Sequence, residues 1–346
     1  MKAFKYTELI LFLLFVFCLA NCKKDSDDYS YRSSDVALTD GLGKNKVSAL
    51  ADSFYVSTYT TTTLPYLSRL GSAPDGTIYA SDYPDDKVFK ISPGGIVSVL
   101  AEGLNSPFGL KVAKNGDVYV ALYFDNRIVK ITPQGTVSPV NVGISLSRPT
   151  DLAIADNGTL YIADAWHRRI IKLPPAGNAS VIAGSGAYGI VDGKGGKARF
   201  GYVTTLKLAG DGMLYAIDSK TDSTEITYIR RISLNGEVST LLRMDGYKEG
   251  RRLKDLSSSK RDSVFGQAAH ENLFTVNSDN TISFVNLSTR TVKLLSPEPP
   301  SSGNFGYVDG PLSSAKFRSI NGLSIRSTGI YVADAGNRVI RRIYKR

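Results

Sequence analysis

Along most of this chain apolar and polar residues alternate in short runs, each stopped by a cluster of Gly, Asn, Asp, Ser or Pro. Period-two alternation bounded by turn residues predicts β-strands. Segments 70–100, 110–140 and 152–182 share one order: an apolar strand, a turn, a Tyr-centred strand, a polar turn, a strand alternating with basic residues, a Gly turn and a Val-rich strand. Their first turns are Asp75-Gly76, Asn115-Gly116 and Asn157-Gly158, dipeptides that accept the positive φ angles of tight hairpins. The second strand returns as Ile78-Tyr79-Ala80, Val118-Tyr119-Val120, Leu160-Tyr161-Ile162, Leu214-Tyr215-Ala216, Leu273-Phe274-Thr275 and Ile330-Tyr331-Val332. Six copies of a four-stranded unit predict an all-β fold, a six-bladed β-propeller.

The last copy stops one strand short, at Arg341-Arg342-Ile343-Tyr344. Near the N-terminus, Lys46-Val47-Ser48-Ala49-Leu50-Ala51 matches the fourth-strand pattern Ile96-Val97-Ser98-Val99-Leu100-Ala101. This N-terminal strand is therefore expected to close the last blade, pairing the two ends of the chain and removing exposed edges.

Tyr161-Ile162-Ala163-Asp164 followed by His167-Arg168-Arg169-Ile170, and Tyr331-Val332-Ala333-Asp334 followed by Asn337-Arg338-Val339-Ile340, resemble NHL repeats. Val191-Asp192-Gly193 with Ala198-Arg199-Phe200, and Val308-Asp309-Gly310 with Ala315-Lys316-Phe317, resemble the linker that precedes an NHL strand. The resemblance covers residues 64–345 and is weakest in the fifth copy. It implies the same six-bladed propeller.

The first residues form a different kind of segment. Lys2 and Lys5 precede an apolar run over residues 9–17, which is too short to cross a bilayer and reads as a secretory signal. Leu19-Ala20-Asn21-Cys22 resembles the lipobox of bacterial lipoproteins, which implies cleavage before Cys22 and acylation of its thiol. Residues 1–21 are thus expected to be a signal peptide, 22–43 a polar tether with little apolar surface to bury, and 44–346 the propeller. The expected location is the cell envelope, lipid-anchored to the outer membrane on its periplasmic or outer side.

Composition narrows the chemistry. The chain has 346 residues and a formal charge of +10. A basic surface favours anionic partners, and export argues for glycans, peptides or proteins over nucleic acid, with a monomer expected. The only cysteines are Cys18 and Cys22, so the propeller holds no thiolate metal site or catalytic thiol. No Gly-x-Ser-x-Gly elbow, phosphate-cradling loop or dinucleotide fingerprint is present.

In such a blade, the turns between second and third strands and the connections between blades lie on one face of the disc. The long connections, 184–201, 243–266 and 296–319, all belong to that face, which makes it the candidate binding surface. Arg243, Lys248, Arg251 and Arg252 would supply positive charge there, and Tyr188, Tyr202 and Tyr307 aromatic rings; the alternatives are a solvated loop and aromatics that pin their own loops. Asp82, Asp164, Asp218 and Asp334 recur at one turn position. They are expected to satisfy backbone N–H groups and to pair with the following Arg168 or Arg338, the alternative being a ring of carboxylates that holds a hard cation.

Two functions remain open. One is a non-catalytic module that binds a glycan, peptide or protein. The other is a metal-dependent hydrolase or lyase in the central channel, since six-bladed propellers include lactonase-like hydrolases that hold a divalent cation there through acidic and amide side chains of different blades. That likeness implies Asp151, Glu271, Asn321 and Asp218 as ligands, with Ca2+ as the ion. A zinc site is disfavoured, because His167 and His270 are the only histidines.

Overall fold

The computed structural model describes residues 53–220, 223–245, 253–257, 272–287, 289–296 and 305–346. The signal peptide, Cys22, the tether and residues 46–51 lie outside these, as do Lys248, Arg251, Arg252, His270 and Glu271. Among the described residues no helix is long and apolar enough to cross a membrane.

Six antiparallel sheets follow one another along the chain. Blade 1 comprises Leu70–Ser72, Ile78–Asp82, Lys87–Ile91 and Val97–Ala101, and blade 2 comprises Pro107–Val112, Val118–Leu122, Arg127–Ile131 and Val137–Pro139. Blade 3 runs through Pro149–Ile154, Leu160–Asp164, Arg169–Leu173 and Ser180–Ala183. Blade 4 has Tyr202–Leu208, Leu214–Lys220, Ser223–Ile232 and Glu237–Asp245, and blade 5 has Leu253–Ser257, Asn272–Asn277, Ile282–Asn286 and Thr291–Leu294. Blade 6 contains Ile320–Arg326, Gly329–Asp334 and Val339–Lys345. The first strands of successive blades pack on one another in a closed ring, so they are the innermost. The fold is a six-bladed β-propeller.

The ring closes as expected but with a different segment. Phe54–Thr58 pairs antiparallel with Val339–Lys345, from Phe54 opposite Lys345 to Thr58 opposite Arg341, and supplies the fourth strand of blade 6. Residues 46–51 share the apolar alternation of a fourth strand, whereas Phe54 and Val56 are the side chains buried in the last inter-blade core.

That core is one of six. Each apolar cluster spans the interface between two neighbouring blades: Tyr79 and Val88 meet Leu110 and Val120, for instance, and Ile78 and Phe89 meet Tyr331 and Ile340. The second strand of a blade is covered by neighbours on both faces, so Ile78–Asp82, Leu160–Asp164 and Gly329–Asp334 are buried at every residue. This explains why these strands lack the polar alternation of the third strands. In blades 1–5 the first hairpin is a three-residue loop: in blade 1, Ala73 N–H donates to Thr77 O at 2.8 Å while Gly76, at φ +104°, closes back on Ala73 O.

The Val-Asp-Gly linkers acquire a structural role in blades 4 and 6. Gly193–Lys194 and Gly310–Pro311 add a fifth, outer strand to each blade. Asp192 reaches inward to Arg230 (3.0 Å) and accepts Thr240 N–H (2.9 Å). Asp309 meets Arg341 and accepts Thr58 N–H (2.9 Å). Each arginine is wholly buried, lies over a phenylalanine of the same linker, Phe200 or Phe317, and donates to linker carbonyls.

Candidate functional site

The recurring aspartates sit where the second strand ends and the first strand of the same blade begins, on the face of the disc that carries the inter-blade connections. All four are fully buried. Asp82 accepts Tyr66 and Asp85 N–H, Asp164 accepts Ser147 N–H, Asp218 accepts Gly201 N–H, and Asp334 accepts Arg318 N–H. Their arginine partners are not the ones expected. Asp164 pairs with Arg169 (2.8 Å) and His167 (2.9 Å), Asp218 with Arg230 (2.7 Å), and Asp334 with Arg341 (3.2 Å). Arg168 instead stacks on Tyr188, and Arg338 donates to Leu64 O. The reason is position along the chain: Arg168 and Arg338 are turn residues at φ +52° and +62°, ahead of the third strands, whereas Arg169, Arg230 and Arg341 lie on those strands. Burial pushes Asp82 up to about 6 and Asp218 up to about 7, in the latter case against the opposing pull of Arg230.

Asp218 is therefore a blade residue, held on the second strand. Asp151 and Asn321 do lie on innermost strands. Asp151 Oδ2 accepts Leu206 N–H at 2.9 Å and the Lys207 ammonium at 3.1 Å; both residues of that ion pair are buried. Asn321 Oδ1 accepts the Lys254 ammonium at 2.9 Å, while its Nδ2 donates to Tyr66 Oη and Leu67 O. Gly109 backs Asp151 closely, and a Cβ there would stand 2.5 Å from Asp151 Cα. An ammonium on each inner-strand candidate puts positive charge where a divalent cation would need oxygen donors, while Asp151 Oδ1 is buried without a hydrogen-bond partner among the described residues. Among the described residues no three His, Cys, Asp or Glu side chains come together in a way suited to a metal.

The aromatic candidates separate. Tyr307 hydrogen-bonds Thr58 on the outermost long strand of blade 6 and lies over Arg341, so it braces the rim. Tyr188 bridges to Phe200 within its own linker and carries Arg168. Arg243 is exposed on the fourth strand of blade 4, again at the rim. Tyr202 alone turns inward, its hydroxyl 2.9 Å from that of Tyr123.

Around this pair lies a cluster that sequence reasoning did not single out. Tyr83, Tyr123, Phe124 and Trp166 come from the second-to-third turns of blades 1, 2 and 3, and Phe108 from the first strand of blade 2. Tyr83 contacts Phe108, Tyr123 and Phe124 at centroid distances of 5.8, 6.2 and 6.0 Å, and Phe108 and Phe124 both contact Tyr123. Arg69 lies over Phe108 at 5.1 Å, and Arg148 over Trp166 at 4.5 Å and Tyr123 at 5.7 Å. Tyr123 is buried, Tyr83, Phe108, Phe124, Tyr202 and Arg148 are half-buried, and Trp166 is 44% exposed. Burial and neighbouring phenols push Tyr83 and Tyr202 well above the usual tyrosine range, so both stay neutral hydrogen-bonding groups. The signal for this cluster was present: in blades 1, 2 and 3 an aromatic residue follows within two positions of the second strand's end.

No family model matches the chain, and no curated protein matches it. Solved structures do. The auxiliary nutrient binding protein of Bacteroides thetaiotaomicron is similar at a TM-score of 0.64 and 14% identity, covering 85% of this chain and 77% of that one. The auxiliary nutrient binding protein of Bacteroides ovatus gives 0.63 and 14%, with 84% and 76% covered. A gluconolactonase of Xanthomonas campestris gives 0.56 and 13%, with 84% and 89% covered. At these identities the likeness establishes the propeller architecture, which hosts both binding proteins and enzymes.

Proposed function

We propose that this chain is a cell-envelope lipoprotein, anchored through Cys22, whose propeller is a non-catalytic binding module for a glycan. The observation that carries this reading is the aromatic cluster of Tyr83, Phe108, Tyr123, Phe124 and Trp166 on the connection-rich face. Aromatic rings on a rigid scaffold offer apolar faces for sugar rings at low entropy cost, and flanking hydroxyls supply hydrogen bonds. The two nutrient-binding structures of similar fold support a binding role for such a propeller. The lysines on Asp151 and Asn321 favour binding over metal-dependent hydrolysis. Arg243 is exposed on the fourth strand of blade 4 and is not part of this cluster.

The test is affinity electrophoresis of the full chain through gels containing soluble polysaccharides, compared with Trp166→Ala. Retardation of the natural chain that the variant loses supports the reading. A chain that no polysaccharide retards, or a variant retarded as strongly as the parent, overturns it.

A further inference from the structure

Resting on this glycan-binding reading, we propose that the sugar is anionic: its ring stacks on the aromatic cluster while its carboxylate or sulfate is taken by Arg148.

Arg148 immediately precedes the first strand of blade 3 and holds a left-handed backbone conformation, φ +48°. The bend is fixed by its own N–H, which donates to Asn126 Oδ1 at 2.7 Å. Ser106 and Ser319 precede the first strands of blades 2 and 6 at φ +59° and +61°. The same bend is thus made elsewhere with a hydroxymethyl side chain. Nothing in the local backbone asks for a guanidinium.

That guanidinium stacks on Trp166 and Tyr123, is half-buried, and among the described residues makes no hydrogen bond or ion pair. The arginines of the blades behave differently: Arg230, Arg341, Arg169 and Arg127 each pair with an aspartate. The carboxylates of the flanking turns are engaged: Asp125 with Arg127 and Asn105, Asp86 with Ser106 N–H, and Asp164 with Arg169 and His167. A stacked guanidinium keeps its N–H donors in the plane of the fork, where an oxyanion is met by two of them at once. The rings beside it leave apolar surface for the sugar that carries the oxyanion.

Trp166 is the only tryptophan in the chain, so its emission reports this site without a label. The full chain is titrated with tetragalacturonate, a sulfated tetrasaccharide and neutral maltotetraose, and the titrations are repeated with Arg148→Gln and Arg148→Lys. The expected result is binding of one or both acidic probes, with roughly tenfold or greater weakening in Arg148→Gln and partial retention in Arg148→Lys. The two acidic arms distinguish carboxylate from sulfate. Because a variant that fails to fold would mimic the loss, the parent is also titrated from about 0.05 to about 0.5 M salt, where affinity for the acidic probe must fall. Equal binding of maltotetraose, salt-independent binding of the acids, or an unchanged Arg148→Gln overturns the inference and leaves the glycan reading standing. No response to any of the three probes overturns the inference, and the polysaccharide gels then decide the reading separately.

Discussion

Arg341 Nη1 lies 3.2 Å from Asp334 Oδ2 with both side chains wholly buried. The other arm of the same guanidinium meets Asp309, which in turn holds Thr58 N–H on the closing strand. One residue thus joins the third strand, the linker and the N-terminal strand of blade 6. Removing one partner of a buried pair leaves the other charged without compensation, at a cost of about 3–5 kcal/mol. Arg341→Met should lower unfolding free energy by that order in urea denaturation. The double change Arg341→Met with Asp334→Asn should cost clearly less than the two single losses added together.

Closure by Phe54–Thr58 sets a sharp truncation limit. Removal of residues 1–52 leaves every pairing with Val339–Lys345 intact, so that chain should melt like the whole propeller. Removal through residue 60 strips Phe54 and Val56 from the last core and exposes Val339–Lys345 as an edge, and should give an aggregating or unfolded product. Thermal melts with light scattering separate the two outcomes.

The blades differ in how they hold their buried acid, and pH should reveal it. In blade 1 the third-strand position occupied by Arg230 or Arg341 elsewhere is Phe89, so no buried arginine compensates Asp82. Its carboxyl is raised by burial to about 6. A folded-state value above the unfolded one means that stability is fully present below about 4 and is lost as pH rises through about 6. Asp82→Asn should therefore flatten the pH dependence of stability between about 4 and 7. The gap between parent and variant should shrink in the variant's favour by about 1–3 kcal/mol as pH rises. Urea melts at pH 4.5 and 7.5 check the sign, and a gap that widens with pH would contradict it.

The repeat made the architecture legible, because six Tyr- or Phe-centred strands can bury their faces only against one another. Local pattern was ambiguous where two segments shared it: residues 46–51 and Phe54–Thr58 both alternate, and only the depth of the last core, filled by Phe54 and Val56, separates them. Pairing partners were ambiguous for the same reason. Arg168 and Arg169 are adjacent in sequence, but Arg168 ends the turn at φ +52° while Arg169 opens the third strand opposite Asp164, so the aspartate's partner depends on where turn gives way to strand. The site was the least legible part, since Tyr83, Tyr123 and Trp166 are scattered over about eighty residues and converge only when three blades stand side by side.

Lys207 and Asp151 decide between the two functional readings by a measurement that needs no substrate. The ammonium occupies one carboxylate oxygen at 3.1 Å, and Lys254 occupies Asn321 in the same way, so the inner strands already carry the positive charge that a bound calcium would bring. A native site of about 10 µM affinity would add roughly 2.7 kcal/mol of stability at a hundredfold excess of calcium. The expected outcome is no change in melting temperature with about 1 mM calcium or with a chelator. Lys207→Met, by contrast, should lose on the order of 3–5 kcal/mol, because it leaves Asp151 buried and unpaired. Calcium that raises the melting temperature of the natural chain, with the rise abolished by Asp151→Asn, would return the channel to the metal-dependent hydrolases. Silence toward calcium together with a destabilised Lys207→Met would leave the ion pair as part of the scaffold that carries the aromatic face.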